Sequence, residues 1–283
     1  MGGCGEDRDR RRHGLRIFRL KAEATGSSHP PLVASTFRWK FPLTYRITDA
    51  LLSIVLAPVC AACEKPLDEP TRGCVCQSCW QAIRHFTPPL CGVCGDPLPS
   101  WRRISLQCST CPRCRRRPHE LTRSLAIGDY DGPLRAIVHA LKYDRRRSLA
   151  RPLAALLAHH GASVLCGADV AVPVPLHRSR KRARGFNQAA DIARCLPIPS
   201  VHVLKRVRST VSQTDLPAAR RHANVRNAFA LRRGQHVTGL VVVLVDDVST
   251  TGATLESCAR VLKEAGAREI RALTVARVIA RPQ

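Results

Sequence analysis

At 283 residues the chain is long enough for one sizeable core with a smaller module beside it. Lys and Arg number 46 against 21 Asp and Glu, a formal charge of +25, which points to an anionic partner: nucleic acid, a phosphorylated substrate or an acidic surface. Part of such an excess also arises in Arg-rich proteomes. No segment approaches the roughly 20 apolar residues that cross a bilayer. With no secretory signal peptide either, a soluble cytoplasmic protein is expected, and the short apolar stretch Ala50–Val59 reads as a packed or surface helix.

In chain order, residues 1–49 read as a disordered basic tail, Arg-rich at Arg8, Arg10, Arg11 and Arg12 and then studded with Gly, Ser and Pro. A basic arm can bind nucleic acid, but a solvated tail or an over-extended start is the favoured reading, and the isolated Cys4 carries no assignment. Residues 50–118 form a cysteine-rich module. Its pairs Cys60/Cys63, Cys76/Cys79, Cys91/Cys94 and Cys111/Cys114 are each spaced C-x2-C, so that two thiolates face one ion and two pairs complete the tetrahedral Cys4 shell of structural zinc. Pairing in sequence order is the simplest assignment. Cys108-Ser109-Thr110-Cys111 is also a C-x2-C, which leaves open Cys108 as a ligand and the occupation of one site or both. Disulfides do not suit a reducing compartment, and a redox C-x2-C needs a βαβ context that is missing. A module this poor in large apolar residues draws its folding free energy from metal.

Residues 119–283 alternate strands and helices, the pattern of a mostly parallel α/β sheet flanked by helices. Ser124–Tyr130 predicts a strand, Asp131-Gly132-Pro133 a turn, and Leu134–Leu141 a helix closed by Lys142 and Tyr143. Ser148–His160 predicts a packed helix that tolerates Pro152 in its first turn, and Val170–Val174 a buried strand. Leu176–Gln188 then reads as a basic loop carrying Arg178, Arg180, Lys181, Arg182 and Arg184. With Gly185 as a hinge it is suited to act as a lid over pyrophosphate, although a solvated charge run or a nucleic-acid contact explains the same composition. A helix over Phe186–Cys195 and strands over Ser200–Val203, Ala228–Leu231 and Arg271–Val278 complete the expectation.

The most informative stretch is Val241–Gly266. Val241–Val245 is an unbroken aliphatic run, as in a parallel strand covered on both faces. Leu255, Val261, Leu262 and Ala265 lie on one helical stripe, with Gly266 as its stop. Between strand and helix, Asp246 and Asp247 precede Ser249, Thr250, Thr251, Gly252, Ala253 and Thr254. Ligands of open α/β sheets bind at the carboxyl ends of strands, and hydroxyls with free N–H groups at a helix start attract phosphate. Two carboxylates would repel a phosphate but suit ribose hydroxyls and Mg2+. A plain helix cap would account for one of these oxygens, not for the run.

This stretch resembles the phosphoribosyl pyrophosphate (PRPP) signature of type I phosphoribosyltransferases. Together with YDGPLR (Tyr130–Arg135), LKY (Leu141–Tyr143), VPVPLH (Val172–His177), RGFNQA (Arg184–Ala189) and the series Thr210, Gln213, Leu216, Arg221 and Asn224, it resembles the ComF family, over about Leu51–Arg277. The resemblance implies a zinc ribbon followed by a type I phosphoribosyltransferase-like domain. Asp246 and Asp247 would then hold ribose and Mg2+, Ser249–Thr254 the 5'-phosphate, and Lys142 with Arg184 the departing pyrophosphate. It further implies cytoplasmic handling of incoming single-stranded DNA during natural transformation, with a helicase or other DNA-uptake proteins as partners. The alternative is an active phosphoribosyltransferase of nucleotide metabolism or salvage whose acceptor no residue identifies. One departure stands out: where the family places a glycine after LKY, this chain has Asp144-Arg145-Arg146-Arg147.

Overall fold

In the computed structural model of this chain, the described residues are 48–49, 52, 56–98, 110–116, 118–208 and 227–279. The Arg-rich start with Cys4, half of the stretch 50–59, Trp101, Cys108 and the series Thr210, Gln213, Leu216, Arg221 and Asn224 lie outside them. Asp49, at the end of the expected tail, is buried and accepts a hydrogen bond from the Thr71 N–H at 2.9 Å, so packed structure begins before residue 50.

Among the described residues of the cysteine-rich module are the short helices α1 (Gln77–Gln81) and α2 (Pro112–Arg115). Each is capped by one cysteine, Cys76 or Cys111, and carries the next one three residues on, which places both sulfurs on one side. The chain continues as β1 (Arg123–Asp129), α3 (Gly132–Lys142), α4 (Ala150–His160), α5 (Ala162–Leu165) and β2 (Val170–Pro173). It then forms α6 (Arg178–Arg184), α7 (Gln188–Ala193), β3 (Leu204–Arg206), β4 (Phe229–Leu231), β5 (Val241–Ser249), α8 (Ala253–Glu264) and β6 (Glu269–Arg277).

The central sheet has the order β1-β6-β5-β2, with every neighbouring pair parallel. Alternate side chains of its strands enter two cores. Val243, Val245, Leu273 and Val275 pack with Ile137 and Leu141 of α3, Leu153 and Leu157 of α4 and Ile192 of α7. Val242, Leu244, Ile270 and Ala272 pack on the other face against Leu255, Cys258, Ala259 and Leu262 of α8. This layering is why Val241–Val245 is apolar at every position.

Four expectations need correction. The basic stretch is not a loop: Arg178–Arg184 is helical, capped at its start by the His177 ring, which accepts from the Ser179 N–H, and ended by Gly185 at φ 83°. Arg and Lys are good helix formers and this helix buries no residue, so no apolar period announced it. The following helix is shorter than Phe186–Cys195, because Asn187 takes the cap position and accepts from the Ala189 N–H. Ser200 makes only a single bridge to Ala171, while the strand proper, Leu204–Arg206, pairs antiparallel with Phe229–Leu231 outside the central sheet. Finally, β5 runs through the acid pair to Ser249 rather than ending at Val245.

The cysteine-rich module packs onto the sheet. Phe86 donates its N–H to the Ile127 carbonyl at 2.9 Å, and Ser124 donates to the Val93 carbonyl at 2.7 Å. Leu67, Val75 and Ile83 share a core with Leu125 and Ile127. The approach is close enough to require glycine: a Cβ on Gly128 would sit 2.1 Å from the Arg84 carbonyl oxygen. Gly128→Ala is therefore expected to cost about 1–3 kcal/mol through backbone displacement at this seam. A thermal melt checks this, and an unchanged midpoint would mean that the seam yields freely.

Candidate functional site

Because β5 continues through Asp246 and Asp247, strand alternation sends the two carboxylates to opposite faces. Asp247 turns to the α3 and α7 side, where Lys142 Nζ lies 3.1 Å from its Oδ1 and Gln188 donates its amide to Oδ2. Lys142 comes from the last turn of α3. Gln188 is positioned by Asn187, whose side-chain amide donates to the Val174 carbonyl at the end of β2. Asp246 takes the α8 side, and its Oδ1 accepts the Asp247 N–H at 2.9 Å. Enclosure by protein, with the Asp247 charge beside it, pushes the Asp246 carboxyl up to about 7, against the pull of Lys142 and Arg206. Cys258 on α8 is pushed well above its ordinary value by burial and by Asp246. Arg206 is lowered by burial and by Arg180.

These groups meet in an open cleft of about 950 Å3. Asp246, Asp247, Thr250 and Thr254 line it together with Lys142, Arg180, Arg184, Arg206 and Gln188, and Tyr130, Val174 and Val278 join them from just beyond the carboxyl ends of the parallel strands. The expected phosphate loop divides. Thr250 and Thr254 line the cleft, whereas Thr251 and Gly252 line a smaller cavity beneath the second cysteine cluster, with Val93, Cys94, His119 and Ser124. Gly252 has φ 79°, a left-handed value that glycine accommodates, and precedes Ala253 at the start of α8. The hydroxyl of the buried Ser249 has no hydrogen-bond partner. Sequence reasoning assigned nothing to Gln188 or Arg206. Gln188 lies within RGFNQA and was open to notice. Arg206 sits on a three-residue strand with no periodicity to mark its direction.

The cysteines gather in the expected sequence-order pairs. The sulfurs of Cys60, Cys63, Cys76 and Cys79, and those of Cys91, Cys94, Cys111 and Cys114, lie within 4.8 Å of one another in each group. Individual Sγ···Sγ separations are 3.9 Å for Cys60–Cys79 and 3.7 Å for both Cys63–Cys76 and Cys94–Cys111. Four sulfurs about 2.3 Å from a tetrahedral zinc stand roughly 3.8 Å apart, so these donor sets fit the ion. The Cys76 N–H points at Cys60 Sγ and the Cys111 N–H at Cys91 Sγ, each at 3.3 Å, the outer-shell support that thiolates need. A hydrogen bond from Cys94 lowers Cys91 to about 4, while Cys94 itself is raised by that shared bond and by burial. Cys74 stays outside both groups, 3.9 Å from the Ser148 hydroxyl. Among the described residues, no helix is long and apolar enough to cross a membrane.

Residues 51–115 match the double zinc ribbon domain, and residues 182–283 the phosphoribosyl transferase domain. The chain is 35% identical over 233 residues to the DNA utilization protein YhgH of Salmonella typhimurium, covering 78% of this chain and 97% of that protein. It is 32% identical to competence protein F of Haemophilus influenzae, covering 77% of this chain and 96% of the relative. This chain belongs to the ComF family. A more distant ComF relative, competence protein ComFC of Bacillus subtilis, is 27% identical over 68% of this chain and 79% of its own length. The ComF protein described here thus joins a type I phosphoribosyltransferase-like sheet to an N-terminal zinc ribbon. Just after Leu141-Lys142-Tyr143, Arg145 holds φ 55°, a left-handed conformation that glycine would adopt without strain.

Proposed function

We propose that this ComF protein binds PRPP with Mg2+ in the cleft at the end of β5, and that it acts in the cytoplasm on incoming single-stranded DNA during natural transformation. The observation that carries the first part is the meeting of Asp246, Asp247, Thr250 and Thr254 with Lys142, Arg180 and Arg184 in one cleft at the carboxyl ends of parallel strands. Asp246 and Asp247 hold the ribose hydroxyls and, with water, the metal. The segment Ser249–Thr254 receives the 5'-phosphate through the hydroxyls of Thr250 and Thr254 and the backbone N–H groups at the start of α8. Lys142 and Arg184 face the pyrophosphate. Bound there, Mg2+ supplies charge neutralisation to the phosphates. The second part is supported by the ComF relatives named for competence and DNA utilization and by the charge of +25. A helicase or another DNA-uptake protein is a fitting partner for that role.

Titration calorimetry with PRPP and Mg2+, alone and after pre-binding single-stranded DNA, tests this; absence of Mg2+-dependent PRPP binding would sink it. A pH dependence is also expected. Metal binding needs the Asp246 anion, and a carboxyl near 7 is mostly protonated at pH 6 and mostly ionised at pH 8. Affinity should therefore rise about tenfold over that interval. Titration of the ligand's own phosphates acts equally on any variant, so the measurement is the excess over Asp246→Asn. No excess would place Asp246 outside the metal site.

A second reading is favoured by the cations that share the cleft with the acid pair, which suit stabilisation of a leaving pyrophosphate: an active phosphoribosyltransferase of nucleotide metabolism or salvage. The displacement would break the bond from the anomeric carbon to pyrophosphate and form one to the acceptor. This chain's residues would contribute positioning and charge. Release of pyrophosphate from PRPP on addition of a nucleobase distinguishes it from binding alone.

A further inference from the structure

Beyond Lys142 the cleft opens onto a second hollow lined by Lys142, Tyr143, Arg145, Arg180, Ala183 and Arg184. Four of these six side chains are cationic and none is acidic. Tyr143 is 58% exposed, and the Arg184 guanidinium lies 5.0 Å from its ring centroid, so the two form an outward-facing stack. The turn that presents Arg145 is closed by the Ala140 carbonyl, which accepts from both the Asp144 and Arg146 N–H groups at 3.2 Å. Arg145 stands at its tip with φ 55°. A left-handed arginine costs conformational energy that glycine would avoid, and strain kept in this way marks a side chain with work to do. PRPP needs no cation beyond those of the cleft, and Arg145 lies outside it.

The geometry points to this shelf as the seat of a single-stranded polynucleotide, its phosphates on Arg145 and Arg180 and an unpaired base on the Tyr143–Arg184 stack. Several cations around one hollow suit a phosphodiester backbone, and an exposed aromatic–guanidinium stack suits a base whose face is free, as in a single strand but not in a duplex. The assignment rests on the strand-handling reading above and adds a coupling to it. Lys142, Tyr143, Arg180 and Arg184 line both the cleft and the shelf, so PRPP and the strand draw on the same cations and weaken each other's binding, reciprocally.

The test uses the full chain and a fluorescent dT20 oligonucleotide followed by anisotropy over a salt series. Arg145→Gln is expected to weaken dT20 about fivefold and to reduce the salt slope by about 0.7, one phosphate contact of a single strand, while Arg145→Lys retains both. Saturating Mg2+–PRPP is expected to weaken dT20 about fivefold. Calorimetry should show Mg2+–PRPP affinity within about twofold of the parent in Arg145→Gln, since that side chain lies outside the cleft. Unchanged dT20 binding in Arg145→Gln, or no dT20 binding at all, overturns the shelf. Equal affinity for inorganic polyphosphate, equally reduced by Arg145→Gln, replaces a polynucleotide site by a general anion site. Indifference of dT20 to bound PRPP overturns the coupling. If Mg2+–PRPP itself fails to bind, the reading of the cleft fails, and the Arg145 and polyphosphate measurements still decide the shelf.

Discussion

Chelation of metal from the purified, reduced protein is expected to release close to two zinc ions per chain and to destabilise more than the cysteine-rich module. Two Cys4 groups with sulfurs 3.7–3.9 Å apart predict the stoichiometry. Structural zinc in small modules supplies on the order of 10–16 kcal/mol, which few other contacts there can replace. The module is not a detachable bead. Cys60, Cys79, Leu67, Val75 and Ile83 belong to the core that contains Leu125, Ile127 and Leu134, so collapse of the first cluster strips cover from the central sheet. The second cluster stands where Asp96 pairs with Arg113 at 3.0 Å and with Arg277 of β6. Loss of zinc, read by metal analysis and melting, should therefore lower the transition of the whole chain. A protein that contains no zinc when purified under reducing conditions, or melts identically with chelator, contradicts this.

Replacing either acid should weaken Mg2+-dependent PRPP binding, and replacing both should abolish it, yet the two single changes should alter stability in opposite directions. Asp247 forms an ion pair with Lys142 in which the side chains are only 9% and 13% exposed. Asp247→Asn removes the ammonium's direct partner and leaves it only the neighbouring Asp246, a loss of about 3 kcal/mol. Asp246 sits in surroundings that resist its ionisation, with its carboxyl raised from 3.8 to about 7. For an acid so shifted, the folded state is penalised as pH rises between those two values, and the penalty is complete above about 7. Asp246→Asn should consequently gain up to about 4 kcal/mol at pH 8 and nothing below about pH 4, where the carboxyl is protonated in both states. Urea denaturation of the two single variants at both pH values, beside calorimetry with PRPP, tests the pair. Equal stability changes would show that both acids share one environment.

Much of this architecture is legible in local chemistry. The C-x2-C spacing marked the eight thiols and made the sequence-order pairing the simplest one, and the aliphatic run followed by acids, hydroxyls and glycine located β5 and α8 with the hydroxyl-rich turn between them. What could not be read depends on contacts distant in sequence or on helices without an apolar face. Arg178–Arg184 is helical through propensity and its caps, with no buried stripe. Arg206 and Gln188 reach the cleft because β3 and α7 are packed in place by residues far along the chain. The docking of the module through Phe86, Val93 and Gly128 leaves no periodic trace. Arg145 shows a further case: its place in the run Asp144–Arg147 is plain in the sequence, but only the fold shows that it takes a left-handed conformation.

The alternation of β5 bears on how this chain tolerates change. Val241–Val245 is apolar on both faces, so a slip of one residue would cost these five positions little hydrophobic free energy. The phase of the strand must then be locked at its polar end, where Asp247 meets Lys142 and Gln188 and Asp246 meets the α8 face. A one-residue insertion within the valine run would exchange the two acids between their partners while leaving composition, motif and overall hydrophobicity almost untouched. Variants of that kind would look conservative on paper and be silent in any search for DDVSTTGAT. The carboxylates are, in this sense, the reading frame of the sheet as well as the floor of its cleft.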